Sequence, residues 1–187
     1  MEKLAKTSLQ NLVKFFGIAG KLKRILRSGW LEAGVRQPES VADHTFRTSI
    51  LCMIYSSLEG LDELKLLRMA LIHDLPEAII GDVTPSRKTA EIEAKEDTAM
   101  NQILSLLPKR QREKYMVVWN EYKKCETKEA KAVRQLEKLE MALQAKEYEK
   151  VGSTIQSLER FIKSAEEAIV WPELKKLLLC IMEEQRK

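Results

Sequence analysis

Residues 62–82, DELKLLRMALIHDLPEAIIGD, hold a helix start, an apolar run, a helix stop and, at and beyond that stop, four titratable side chains. Asp62 is a natural N-cap, because its short carboxylate can accept the free N–H groups of a first turn. Leu64, Leu67, Ala70 and Leu71 recur at helical spacing, and Pro76 forces a break or a new start. His73 and Asp74 therefore sit at the end of an apolar helix, with Glu77 and Asp82 within the next eight positions. Burying an imidazole and carboxylates in such a place is costly unless a cation compensates them. The stretch predicts a helix that ends in chemistry.

Outward from it, the same pattern repeats. Ser40 followed by Asp43 resembles a capping box, so a helix starts at Val41 and runs through Ile50, Ile54 and Leu58 to Gly60. Before it lie a first helix marked by Leu9, Leu12, Val13, Phe16 and Ile18, a short helical piece over residues 21–26, and an irregular stretch over residues 27–40. Loops of that length in compact helical domains are more often functional than not. After it come helices over residues 86–107, from Pro108 to Glu126, and from Thr127 to Glu149. Two final helices span residues 151–171 and 172–184. Residues 81–85 read as a second loop. Seven Gly and five Pro in 187 residues leave room for long regular elements. The expectation is an all-α helical bundle, one domain over residues 1–187.

Composition narrows the function. Hydrophobic residues at 44% and charged residues at 32% describe a folded, well-solvated chain. The net charge of +4 is spread over interspersed acids and bases, so a nucleic-acid polymer is not the expected partner. No apolar run approaches the ~18 residues of a membrane span, and no signal-peptide pattern opens the chain. Cys52, Cys125 and Cys180 are odd in number and widely separated, which suits reduced core thiols in a cytoplasmic protein.

The chain has two histidines, His44 and His73. His44 follows Asp43 in the first turn of a helix; His73 is followed by Asp74. Adjacent helical side chains diverge by about 100°, so His73 and Asp74 can grip opposite sides of an ion only if other helices complete the shell. Taken alone, Asp74 and Asp82 could be caps or solvated loop residues, a reading that suits Asp82 better than Asp74 with its apolar neighbours. Two imidazoles with carboxylates make a mixed nitrogen and oxygen shell that disfavours Mg2+ and leaves one divalent transition ion: Mn2+, Co2+, Fe2+, Ni2+ or Zn2+.

The order Ser40-Val41-Ala42-Asp43-His44, then residues 73–82, then Gln135-Leu136-Glu137 resembles the HD-domain 5'-deoxynucleotidases. The likeness extends to residues 27–30, 38–40 and 140–145, and covers roughly residues 22–149, with the helices beyond 151 packing on that core. The resemblance implies a metal held by His44, His73, Asp74 and position 137. Position 137 is Glu here, where the family pattern has Asp; Glu140, one turn on, competes with it. It also implies Glu77 as the acid/base residue, Arg27 and Trp30 in the substrate pocket, and Asp82 near the sugar. Arginine can fork onto phosphate and an indole can stack on a base, although a lone Trp30 would read as a core plug. Lys88 is a further candidate for phosphate charge, against the plainer reading of a solvated lysine. The implied activity is release of phosphate from deoxyribonucleoside 5'-monophosphates, by a homodimer. The alternatives are phosphohydrolysis of triphosphates, cyclic nucleotides or analogues, and a non-catalytic nucleotide-sensing module. The apolar residues of the final helix, Leu174, Leu177, Leu178 and Ile181, could serve the core or a dimer seam.

Overall fold

A computed structural model describes residues 6–183 of the chain. Among these residues all regular elements are helical: α1 (Lys6–Lys21), α2 (Ser28–Glu32), α3 (Val41–Glu59), α4 (Glu63–Ile72), α5 (Glu77–Ile80), α6 (Ala90–Leu104), α7 (Lys109–Lys124), α8 (Lys128–Lys150), α9 (Ile155–Ala168) and α10 (Pro172–Glu183). Short 3-10 turns follow α1 and α5. The all-α fold expected from the sequence is the fold observed.

Local chemistry explains the boundaries. The Ser40 hydroxyl accepts the Asp43 N–H at 3.2 Å while the Asp43 carboxylate accepts the Ser40 N–H at 2.9 Å, so both partners of the capping box are in place at α3. Asp62 caps α4 through the Lys65 N–H, and Thr127 caps α8 through the Ala130 N–H. Gly60 closes α3 at φ 66°, a left-handed conformation that a glycine adopts without steric cost.

α8 is the central strut. It packs against α3, α4, α7, α9 and α10, and its Ala130, Val133, Leu136, Leu139 and Ala142 are buried in the main core. Burial of this kind, at about 25 cal/mol per Å2 of apolar surface, is the main force holding the helices together. A smaller cluster of Trp30, Val35, Ala145, Tyr148, Leu158 and Phe161 ties α2 to α8 and α9.

Several expectations need correction. The helix expected from Ser86 begins at Ala90, where Thr89 caps it and Pro85–Arg87 form a 3-10 turn instead. The helix expected from residue 151 begins at Ile155, and Pro108 precedes α7 as its N-cap. The irregular stretch 27–40 contains the short α2. On α4 the inward face is Leu66, Met69, Ala70 and Ile72, whereas Leu64 and Leu71 are exposed: apolar residues fall on every side of the helix, so period does not choose the face. Leu9, Val13 and Phe16 of α1 are likewise exposed. Of the three cysteines, all free, only Cys52 is a core thiol; Cys180 is exposed and Cys125 closes α7 at φ 53°. Leu174 and Leu178 are buried, which makes that face of α10 core and not seam. Glu184, the expected end of the final helix, lies outside the described residues.

Candidate active site

The ends of α3 and α4 bring the two imidazoles together. His44 is carried into the interior by the capped first turn of α3, and His73 closes α4; their ring centroids lie 5.5 Å apart, and both are buried. His73 Nδ1 lies 2.6 Å from the Ala70 carbonyl oxygen, an obligate acceptor. In the neutral ring Nε2 is therefore the bare nitrogen, and it has no hydrogen-bond partner although it is buried. Burial opposes a charge on the ring, but the Asp74 and Glu137 carboxylates raise its pKa. The carboxylate of Asp74 comes within 3.1 Å of that nitrogen and 3.9 Å of His44 Nε2. Ligand atoms of His44, His73 and Asp74 all lie within 4.8 Å of one another.

A bare, buried imidazole nitrogen facing a carboxylate and a second imidazole is what a divalent transition ion requires. These residues fit such an ion. Burial lowers His44 to about 3, helped by the Arg27 charge, so its ring is neutral and able to ligate. Burial alone would raise Asp74, but the adjacent His73 and the Arg27 charge hold it far below the usual carboxylate range.

Glu137 stands at the edge of this group. Its Oε2 is 3.8 Å from His73 Nε2 and accepts the Tyr122 hydroxyl at 2.8 Å; Arg134 approaches its other oxygen at 3.7 Å. It falls outside the tight triangle of His44, His73 and Asp74. Glu140, the competing acid, turns to the far side of His44 and does not line the cavity.

The cavity in front of the triangle measures about 510 Å3, the size of a small-molecule site. Glu77 lines it from α5, with one carboxylate oxygen buried and unpartnered. Burial raises its pKa well above the ordinary range, and the Asp74 and Asp82 charges add to this. Gly81, at φ 81°, lets the chain leave α5 and turn Asp82 back toward α2. Asp82 is pinned there: the Ser28 N–H donates at 2.6 Å and Arg27 at 3.0 Å. It is neither a cap nor a solvated loop acid.

Other expected pocket residues occupy less open positions. Arg27 bridges Asp74 and Asp82, and although burial opposes its charge these acids raise its pKa. Trp30 is 1% exposed, packed 3.8 Å from the Phe161 ring, with its indole N–H on Glu39. It reaches the cavity wall from within the core and offers no open stacking face. Lys88 lines the cavity but pairs with Glu96 at 3.0 Å.

Sequence reasoning missed four residues. Tyr122 and Arg134 attend Glu137 and belong to no motif; Glu39, within the 38–40 stretch but given no role there, holds Trp30. Lys138 also lines the cavity, and its ammonium meets only the Met141 sulfur, at 3.8 Å, with no carboxylate in ion-pair range among the described residues. Its signal was available: it is the basic neighbour of Glu137 on an otherwise inward-facing turn.

The HD domain family profile matches residues 19–175. The chain belongs to the HD domain family. This HD domain is 37% identical over 169 residues to the 5'-deoxynucleotidase HDDC2 of Mus musculus, which spans 89% of this chain and 84% of that one. A conserved hypothetical protein from Pyrococcus furiosus superposes with a TM-score of 0.72 at 35% identity, covering 93% of this chain and 98% of its own. A predicted metal-dependent phosphohydrolase from Magnetospirillum magnetotacticum MS-1 gives 0.72 at 25% identity, over 96% and 95% of the two chains. The family expected from the motifs is the family found.

Proposed function

We propose that this HD domain is a metal-dependent phosphohydrolase that releases phosphate from deoxyribonucleoside 5'-monophosphates. The observation that carries the reading is the unpartnered, buried His73 Nε2, set against Asp74 and His44 beside the buried Glu77 carboxyl. The names of the HDDC2 relatives supply the substrate class.

His44, His73 and Asp74 would hold one divalent ion, and Glu137 would complete the shell by swinging from Tyr122 toward His73. When bound, the ion supplies polarisation of the phosphoryl group and a more acidic water. Glu77, as its carboxylate, would take a proton from the attacking water and return it to O5' as the P–O5' bond breaks. Asp82, held by Arg27 and Ser28, faces the sugar, accepts its 3'-hydroxyl and crowds a 2'-hydroxyl. Lys138 meets phosphate charge, because Arg27 and Lys88 already face carboxylates; Trp30 backs the pocket wall. Residues 22–149 form the working core of one domain, closed by α9 and α10.

The partner is expected to be a second copy of the chain. Phe46, Ile50, Ile54 and Leu58 form an exposed apolar stripe, one residue per turn, along α3. None of the helices searched is long and apolar enough to cross a membrane, and three free cysteines suit the reducing cytoplasm. Phosphate release from a panel of deoxynucleoside mono- and triphosphates, ribonucleotides and cyclic nucleotides tests the substrate class. Preference for deoxynucleoside 5'-monophosphates is expected; release from triphosphates alone would overturn it.

A further inference from the structure

An imidazole can offer a metal only one bare nitrogen at a time, so something must decide which. For His73 the Ala70 carbonyl decides. His44 is governed by a different device. Its Nδ1 lies 2.5 Å from Oε2 of Glu140, a side chain with no solvent exposure. The other Glu140 oxygen accepts Arg47 Nε at 2.9 Å, and Arg47 is held in turn by Gln144 at 2.5 Å and Glu147 at 2.7 Å. Two residues one turn apart on α3 are thus clasped by three residues at one-turn spacing on α8.

We propose that Glu140 is the positioning residue of the metal site: it accepts the His44 Nδ1–H and so fixes the tautomer whose bare Nε2 faces Asp74 and His73. Arg47 supports this by occupying Oε1, which leaves Oε2 as the acceptor. The inference rests on the metal-site reading above and adds to it a residue outside the cavity. Glu39, His44 and Glu140 also form a second triangle of ligand atoms within 4.8 Å. That triangle needs no ion, because Arg47 answers the Glu140 charge and the Trp30 indole N–H bonds Glu39 at 2.9 Å.

Carboxylates behind a metal-bound histidine raise metal affinity by about 10- to 100-fold. The test is Mn2+ titration, without substrate, into metal-free wild type, Glu140→Gln and Glu140→Ala, read by the resonance of unbound Mn2+. Wild type should bind one ion per chain. Affinity should fall by about 10- to 100-fold in Glu140→Ala and by less in Glu140→Gln, whose amide oxygen still accepts the Nδ1–H. A merely structural residue would lower thermal stability and leave the Mn2+ affinity of the folded protein unchanged. Because the chain has two histidines, nitrogen-resolved spectra of metal-free wild type report each tautomer without any variant, and both rings should carry the proton on Nδ1.

Three results would overturn the proposal: wild-type affinity in both variants, His44 protonated on Nε2, or two ions per chain with one lost in Glu140→Gln. Failure of wild type to bind Mn2+ would instead defeat the metal-site reading, and the proposal with it.

Discussion

Arg27 Nη1 sits 3.0 Å from Asp82 Oδ1, and the same nitrogen reaches Asp74 at 3.3 Å. One guanidinium thereby joins the acid assigned to the sugar with an acid of the metal triangle. Asp82 gains a fixed orientation from it, reinforced by the Ser28 N–H, and a fixed carboxylate can discriminate where a mobile one would adapt.

The first prediction follows from that orientation. Wild type should release phosphate from dAMP faster than from AMP by about 10²-fold or more, the scale of one well-placed contact and clash. Asp82→Ala should lose most of this preference, and Arg27→Ala should reduce it. Initial rates on the two nucleotides decide the matter; an unchanged ratio in Asp82→Ala would remove Asp82 from sugar choice.

Metal content provides a second test. His73→Ala deletes the bare Nε2 that motivates the site, so elemental analysis should find the purified variant with little transition metal and little activity. Full occupancy with unchanged turnover would refute the assignment.

Lys138 supplies a third. If its ammonium meets the substrate phosphate, Lys138→Ala should raise KM for dAMP about tenfold, on the order of one charge-assisted hydrogen bond, and weaken inhibition by inorganic phosphate. Inhibition by deoxyadenosine, which carries no phosphate, should stay as in wild type. Equal weakening for both inhibitors would mean that the substitution disturbs the pocket generally.

Glu39 gives a pH prediction whose sign can be worked out. Burial raises its folded pKa to about 7, with the Glu140 charge adding and His44 opposing. The folded state thus retains a proton that the unfolded chain releases near its ordinary value of 4.5. Its contribution is neutral below that value and increasingly destabilising as pH rises to 7. Glu39→Gln keeps an acceptor for the Trp30 N–H and removes the charge. The difference in melting temperature, variant minus wild type, should grow from pH 4.5 to 7 and level off above it. A flat difference would contradict this.

Much of the site could be read in the chain because its residues sit at helix ends, where capping chemistry leaves local marks. Ser40 with Asp43 fixes the turn that bears His44, and Pro76 fixes the stop after His73. What could not be read is rotation about a helix axis. Glu137 and Glu140, three residues apart, differ by about 60° around α8, and either could face the cavity. Packing of α8 against both α3 and α7 sets that angle, sending Glu137 to Tyr122 and His73 and Glu140 to His44 and Arg47. Trp30 was ambiguous for a similar reason: its partner Phe161 lies 131 positions away on α9, and no local signal announces it.

The central claim is that phosphate release depends on an ion held by the His44, His73 and Asp74 triangle and on proton transfer by Glu77. Its most direct test is phosphate release from dAMP by chelator-stripped protein as Mn2+ is restored, with Glu77→Gln measured beside wild type. Wild type should be inactive when stripped and regain activity as one ion per chain binds. Glu77→Gln should bind that ion equally well while its turnover stays roughly 10²-fold or more below wild type. Full activity in the stripped protein, or near-normal turnover in metal-loaded Glu77→Gln, would contradict the account.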